Sequence, residues 1–217
     1  MPKSLHTLLA LAFITLPFLF LGFIWEQLPD SVPVHFDDNF KADRFAPKSE
    51  LWITTGILQG ISLMLFVLLS NLKHVDPKHL KGGSNPQVFE NVSLGLALFM
   101  ALLNTFIIYS AYNAAQTHLV FVLIGALFAW LGFMFTRVIP NYFIGIRLPW
   151  TLENDVNWRK THQLGGKIWL VGGIAIAIGS IIIQNDIFFP VFMTLLTVMI
   201  LIPVFYSYRL FKQGNPE

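Results

Sequence analysis

Cysteine is absent from the chain, which excludes disulfide frameworks, thiolate nucleophiles and sulfur-ligated zinc or iron–sulfur centres. Charge is scarce, at 12% of 217 residues, about half the share of an ordinary soluble domain. No run of Lys and Arg is dense enough to grip nucleic acid, and the net charge is only +2. Nucleotide-binding loops, HExxH helices and nucleophile elbows are also missing, so neither catalysis nor a cofactor or metal is expected. What is present is apolar: 55% hydrophobic residues, 21 Phe and 6 Trp, and a mean hydropathy of +0.63. A soluble surface has no room for this much apolar side chain. The chain reads as an integral membrane protein.

Six apolar segments, 5–25, 51–70, 92–112, 119–136, 168–183 and 187–208, approach the roughly 20 residues that cross hydrocarbon. The fifth is short and is expected to begin nearer Leu164, with Lys167 reaching to the interface. The first is long for a signal peptide, has no Ala-x-Ala-like site and ends at Trp25, so it reads as an uncleaved helix kinked at Pro17. Lys and Arg alternate across these segments, eleven on one side and only Lys41, Arg44 and Lys48 on the other. The positive-inside rule then puts both termini in the cytoplasm. The expected fold class is an all-α polytopic membrane helical bundle, multi-pass, with six transmembrane helices, N-in/C-in. Residues 1–91 form a two-span region around an extracytoplasmic acidic loop at 26–50. Residues 92–217 form a four-span region around a cytoplasmic loop at 137–167.

The outer loop is stiffened by Pro29, Pro33 and Pro47, and its stretch 32–36 predicts a short strand. His35, Asp37, Asp38 and Asp43 are its candidate site, because a group of carboxylates suits a cationic peptide arriving from outside. The alternative is a solvated cap over the helix ends. His35 beside Asp37 lacks the third and fourth ligands a metal needs.

The inner loop is richer. Pro149 discourages helix before it, Thr151 can cap a new helix, and Glu153 and Asp155 would sit near its positive end. Asn154, Trp158, Thr161, Gly165 and Trp169 then share one helical face. Trp158 is expected flat at headgroup level with its N–H wet, and Gly165 and Gly166 admit a neighbouring helix. Arg147, flanked by Ile146, Leu148 and Trp150, either latches to Glu153 or Asp155 or receives a carboxylate or phosphate from a partner. His162 reads as an interfacial hydrogen-bonding residue. Within the spans, Gln59, Asn104, Thr105 and Tyr109 are expected to bond between helices, and Gly56 with Gly60, like Gly173 with Ala177 and Ile181, to serve internal packing.

The run Asn141, Gly145, Ile146, Arg147, Pro149, Trp150, followed by Asn154, Trp158, Arg159, Lys160, Thr161, His162, Gly165 and Gly166, resembles the signature of the SdpI family of bacterial immunity and signal-transduction membrane proteins. Leu28–Pro29 through Val34–His35–Phe36, with Asp43 and Lys48, resembles the short extracytoplasmic segment of unknown function, DUF1648, that often precedes it. Leu148 stands where threonine is usual, Phe40 where glycine is common and Pro47 where a small polar residue is common. The resemblance implies protection against a secreted toxic peptide outside and capture of a cytoplasmic repressor inside, without direct nucleic-acid contact. It also implies that Asn141, Gly145, Arg147, Pro149, Trp158 and His162 are motif residues. Two other functions stay open. One is a small transporter or exporter with a path shaped by Pro17, Gln59 and Asn104. The other is a membrane enzyme acting on a lipid or cell-wall precursor, with Arg147 for phosphate and His162 or Glu153 for proton transfer.

Overall fold

In hydrocarbon every backbone N–H and C=O must find its partner within the chain, so long apolar runs fold as helices. A computed structural model of the chain describes residues 2–37, 41–72, 86–113, 118–183 and 185–214. In chain order they form α1 (Lys3–Ile24), a 3-10 turn (Trp25–Gln27), β1 (Ser31–Phe36), β2 (Ala42–Pro47), α2 (Glu50–Asn71), α3 (Pro86–Tyr112), α4 (Val120–Phe135), α5 (Pro149–Glu153), α6 (Asp155–Ile182) and α7 (Asn185–Lys212).

The result is an all-α polytopic membrane helical bundle decorated by one hairpin. Among the described residues, five helical stretches are long and apolar enough to cross a membrane: Lys3–Gln27, Glu50–Asn71, Gln87–Tyr112, Asp155–Ile182 and Ile187–Lys212. The expected fourth span is the exception. α4 is apolar throughout but only 16 residues long, because the chain turns at Thr136, where the Arg137 N–H bonds back to the Met134 carbonyl at 2.9 Å.

The helices pack as two groups. α1, α2 and α3 enclose Leu21, Ile24, Leu28, Leu51, Ile108 and Ala111, with Val32 of β1 closing that end. α4, α6 and α7 enclose Phe121, Ile176, Phe188, Phe192 and Met199. A third cluster joins the groups at the opposite end, where Leu69, Leu72, Val88, Phe89 and Val92 meet Met134, Val138 and Trp158.

The tightest seam in the bundle lies between α4 and α6 and is made of backbone. A Cβ on Gly125 would lie 2.5 Å from the Gly173 carbonyl oxygen, and one on Gly166 would lie 2.6 Å from that of Gly132. Gly173 and Ala177 thus serve internal packing as expected, while Ile181, 64% exposed, turns away from the seam. The matching expectation for Gly56 and Gly60 fails: both look onto open space. The buried face of α2 is Leu51, Thr55, Gln59, Ser62, Phe66 and Leu69, and the helical twist carries the two glycines off it.

Gln59 Nε2 donates to the Met100 carbonyl and Thr55 Oγ1 to Asn104 Oδ1, each at 3.3 Å, which are interhelical bonds of the kind expected. Thr105 departs from expectation, since its buried hydroxyl has no hydrogen-bond partner among the described residues. The strand expected at 32–36 forms and pairs antiparallel with β2, a partner the sequence does not announce. A two-stranded ribbon consists of edges, so Pro33 and Pro47 are tolerated in it.

Candidate functional site

The signature loop lies at the end of the bundle away from the hairpin, held by polar side chains that bond backbone. Asn141 is buried and ties a loop to itself. Its Nδ2 donates to the carbonyls of Ile139 and Ile144 at 2.9 and 3.0 Å, and its Oδ1 accepts from the N–H groups of Phe143 and Ile144 at 2.8 and 2.7 Å. Gly145 follows with φ +123°, a left-handed geometry, and its α-carbon lies against the His162 ring.

His162 joins this loop to α6. Its Nε2 accepts the Ile146 N–H at 2.8 Å, and its Nδ1 donates to the Trp158 carbonyl at 2.8 Å. A backbone N–H only donates and a carbonyl only accepts, so the imidazole is the neutral Nδ1–H tautomer with both nitrogens committed. The ring stacks on Trp158 at 4.0 Å between centroids.

Trp158 corrects an expectation. It is fully buried, and its indole N–H donates to the Val138 carbonyl at 2.9 Å instead of to interfacial water. It shares its cluster with Val138, Phe143 and Ile144 of the loop before α5, Met134 of α4, Leu69 and Leu72 at the end of α2, and Val88 and Phe89 of α3.

The helix boundary differs too. Thr151 caps nothing downstream. Its buried Oγ1 accepts the Leu148 N–H at 2.9 Å and lies 2.8 Å from the Ile146 carbonyl, fixing the start of α5 at Pro149. The chain breaks helix at Asn154, and Asn154 Oδ1 caps α6 by accepting the Asn157 N–H at 2.7 Å.

Ser207 of α7 is the residue that sequence reasoning missed. Its hydroxyl oxygen accepts the Trp150 indole N–H at 3.0 Å, and its carbonyl accepts from Asn157 Nδ2 at 3.0 Å. Trp150 also stacks on Phe211 at 5.7 Å between centroids. A serine in the last apolar run is the only trace of this docking in the sequence. Gly165 completes it, because a Cβ there would meet Ile146 at 3.0 Å and Pro203 at 3.3 Å.

Arg147 does not form the expected pair with Glu153 or Asp155. Its guanidinium is exposed and donates to the Tyr142 carbonyl at 2.6 Å. Tyr142, Arg147, Pro149, Glu153, Asp155 and Arg159 are left on the surface. The arrangement is a clasp that displays side chains. Its one imidazole has both ring nitrogens in hydrogen bonds to backbone.

At the hairpin end, His35 Nδ1 and Asp43 Oδ1 pair at 2.6 Å across the strands, both exposed. Asp37 Oδ1 accepts the Lys41 N–H at 2.8 Å. Asp38 lies outside the described residues. Lys48 is drawn inward, 3.4 Å from Asp30 and 5.1 Å from the Trp25 ring. Among the described residues no three His, Asp or Glu side chains gather as metal ligands would.

Residues 137–207 match the SdpI/YfhL protein family, and residues 12–58 match the domain of unknown function DUF1648. Over residues 137–207 the chain is similar to the SdpI/YfhL family, and its long apolar helices make it a multi-pass membrane protein. It is similar to the protein named Immunity protein SdpI of Bacillus subtilis (strain 168), 21% identical over 208 residues that cover 96% of this chain and 97% of that one. No solved structure matches it. The SdpI-like stretch begins at Arg137, where the clasp loop leaves α4, and ends at Ser207, where Trp150 and Asn157 dock. The DUF1648-like stretch comprises the last half of α1, the hairpin and the first turns of α2. Each matched stretch thus combines spanning helix with one of the two ends of the bundle, the clasp in one and the hairpin in the other.

Proposed function

We propose that this SdpI-like protein protects a bacterium against a secreted toxic peptide, and that it does so without catalysis. The observation that carries the reading is the end-to-end similarity to a protein named for immunity, joined to a clasp whose only imidazole is fully hydrogen-bonded. In this reading α4 is a sixth span. Its 16 residues rise about 24 Å, and the Thr136 and Leu119 ends add to that. An even number of crossings keeps both termini, the clasp and most Lys and Arg in the cytoplasm. The two-span region then presents the hairpin to the peptide, with His35, Asp37 and Asp43 as its polar groups. The four-span region presents Arg147 and its neighbours to a repressor inside the cell.

Expression of the chain in a peptide-sensitive host raises survival against the cognate member of a panel of secreted antimicrobial peptides. Failure against every member, with membrane insertion confirmed, contradicts the proposal. The transporter reading has one observation in its favour: Gln59 Oε1, Ser62 Oγ and Asn104 Nδ2 are buried within the span region with no hydrogen-bond partner among the described residues. It predicts flux into proteoliposomes that Asn104→Leu abolishes. Flux equal to that of empty liposomes disposes of it.

A further inference from the structure

A cleft of about 250 Å³ opens between α1 and α2 at the clasp end of the bundle, with α3 behind it. Lys3, His6, Thr7, Ser70, Asn71 and Glu90 supply its polar wall, and Phe66 and Val67 its apolar one. The floor is rigid. His6 is 7% exposed, stacks on Phe66 at 5.2 Å between centroids, and donates from Nε2 to the Glu90 carbonyl at 2.9 Å. Ser93 Oγ donates to the same carbonyl at 2.9 Å. This stretch of α3 is therefore held in place while the Glu90 side chain is left to the cleft.

Two opposite charges line this cleft without meeting. Neither the Lys3 ammonium nor the Glu90 carboxylate has an ion-pair partner among the described residues, although Glu90 is half-buried. A carboxylate at the edge of hydrocarbon is costly alone, and a nearby cation offsets that cost. Val67 and Thr7 are exposed on the outward rim of the cleft, where acyl chains run. An occupant must bring a cation to Glu90, an anion to Lys3 and an apolar body to Phe66 and Val67. It must also sit at the depth where helices leave the membrane.

We infer that the cleft between α1 and α2 binds a phospholipid carrying both a phosphate and a primary ammonium, that is, phosphatidylethanolamine, with the phosphate on Lys3 and the ammonium on Glu90. The ammonium has three N–H donors for the carboxylate and for the acceptor oxygens of Ser70 and Asn71 beside it. A choline headgroup carries the same charges and has no N–H to give. A glycerol headgroup has no cation. The cleft thus distinguishes headgroups by hydrogen bonding as well as by charge. This site is independent of the immunity reading.

The test is lipid retention by the purified full-length chain, measured by native mass spectrometry after exposure to equimolar phosphatidylethanolamine, phosphatidylcholine and phosphatidylglycerol with matched acyl chains. The wild-type chain is expected to retain phosphatidylethanolamine about tenfold over phosphatidylcholine, the ratio that one charge-assisted hydrogen bond supports. Glu90→Gln removes that preference. Lys3→Gln, an exposed position outside the packed core, lowers retention of both lipids and leaves their ratio standing. Equal retention of the ethanolamine and choline lipids by the wild-type chain overturns the inference, as does stronger retention of phosphatidylglycerol or a preference that survives Glu90→Gln. An unchanged unfolding midpoint for Glu90→Gln in detergent ties the loss to the carboxylate and not to the fold.

Discussion

The Ile146 N–H points at Nε2 of His162 from 2.8 Å, and the ring's other nitrogen holds the Trp158 carbonyl from the same distance. One imidazole therefore fastens the signature loop to the helix that follows it, and the bond needs an unprotonated Nε2. His162→Phe keeps a flat ring over Trp158 and deletes the acceptor. A buried N–H left without a partner costs about 1–3 kcal/mol. The unfolding midpoint of the purified chain in detergent should fall accordingly, and an unchanged midpoint would deny the ring this fastening role.

Gly145 makes that approach possible. At φ +123° an L side chain is strained, and its Cβ would enter the His162 ring. Gly145→Ala is expected to cost about 2–4 kcal/mol, from backbone strain plus overpacking. Gly60→Ala is the control. Its helical site faces open space, so the change should be neutral or stabilise by up to about 1 kcal/mol. Equal effects of the two substitutions would refute the distinction.

The α4–α6 seam should be the least tolerant part of the bundle. At Gly132 and Gly166 the obstacle to a side chain is backbone, which cannot rotate aside. Gly166→Val is expected to cost at least about 3 kcal/mol and to shift the chain into the void volume on size exclusion. A monodisperse, normally stable Gly166→Val chain would show that α4 packs elsewhere.

Trp158→Phe isolates the indole N–H bond to Val138 at 2.9 Å. The expected loss is about 1–2 kcal/mol, one hydrogen bond plus a small cavity. Loss of the fluorescence component least accessible to acrylamide should accompany it. A quenching profile unchanged by the substitution would place this ring at the surface.

Five of the six expected spans are legible in the sequence, because hydrocarbon imposes a length on an apolar run, and the fourth run folds as a shorter helix. The strand at 32–36 is legible from its alternation and flanking turns. The clasp is only half legible. Proline at 149 marks a helix start, but Trp158 stands beside Arg159 and Lys160 and so imitates an interfacial anchor. Its true partner, the Val138 carbonyl, belongs to an aperiodic loop and carries no side-chain signature. Ser207 is concealed in the same way, since a lone hydroxyl in an apolar helix usually bonds its own backbone and this one also receives Trp150. Arg147 misleads for another reason. Nearby carboxylates are visible in sequence, whereas a carbonyl turned toward a guanidinium is a property of the folded loop.

The account turns on which face of the membrane each module meets. The chain has no cysteine of its own, so single-cysteine variants read this directly. Ser31→Cys and Arg159→Cys both introduce the thiol at exposed positions, one in the hairpin and one beside the clasp. A membrane-impermeant maleimide applied to intact cells should label Ser31→Cys at once and Arg159→Cys only after lysis. Labelling of Arg159→Cys on intact cells, whether or not Ser31→Cys also reacts, would contradict it.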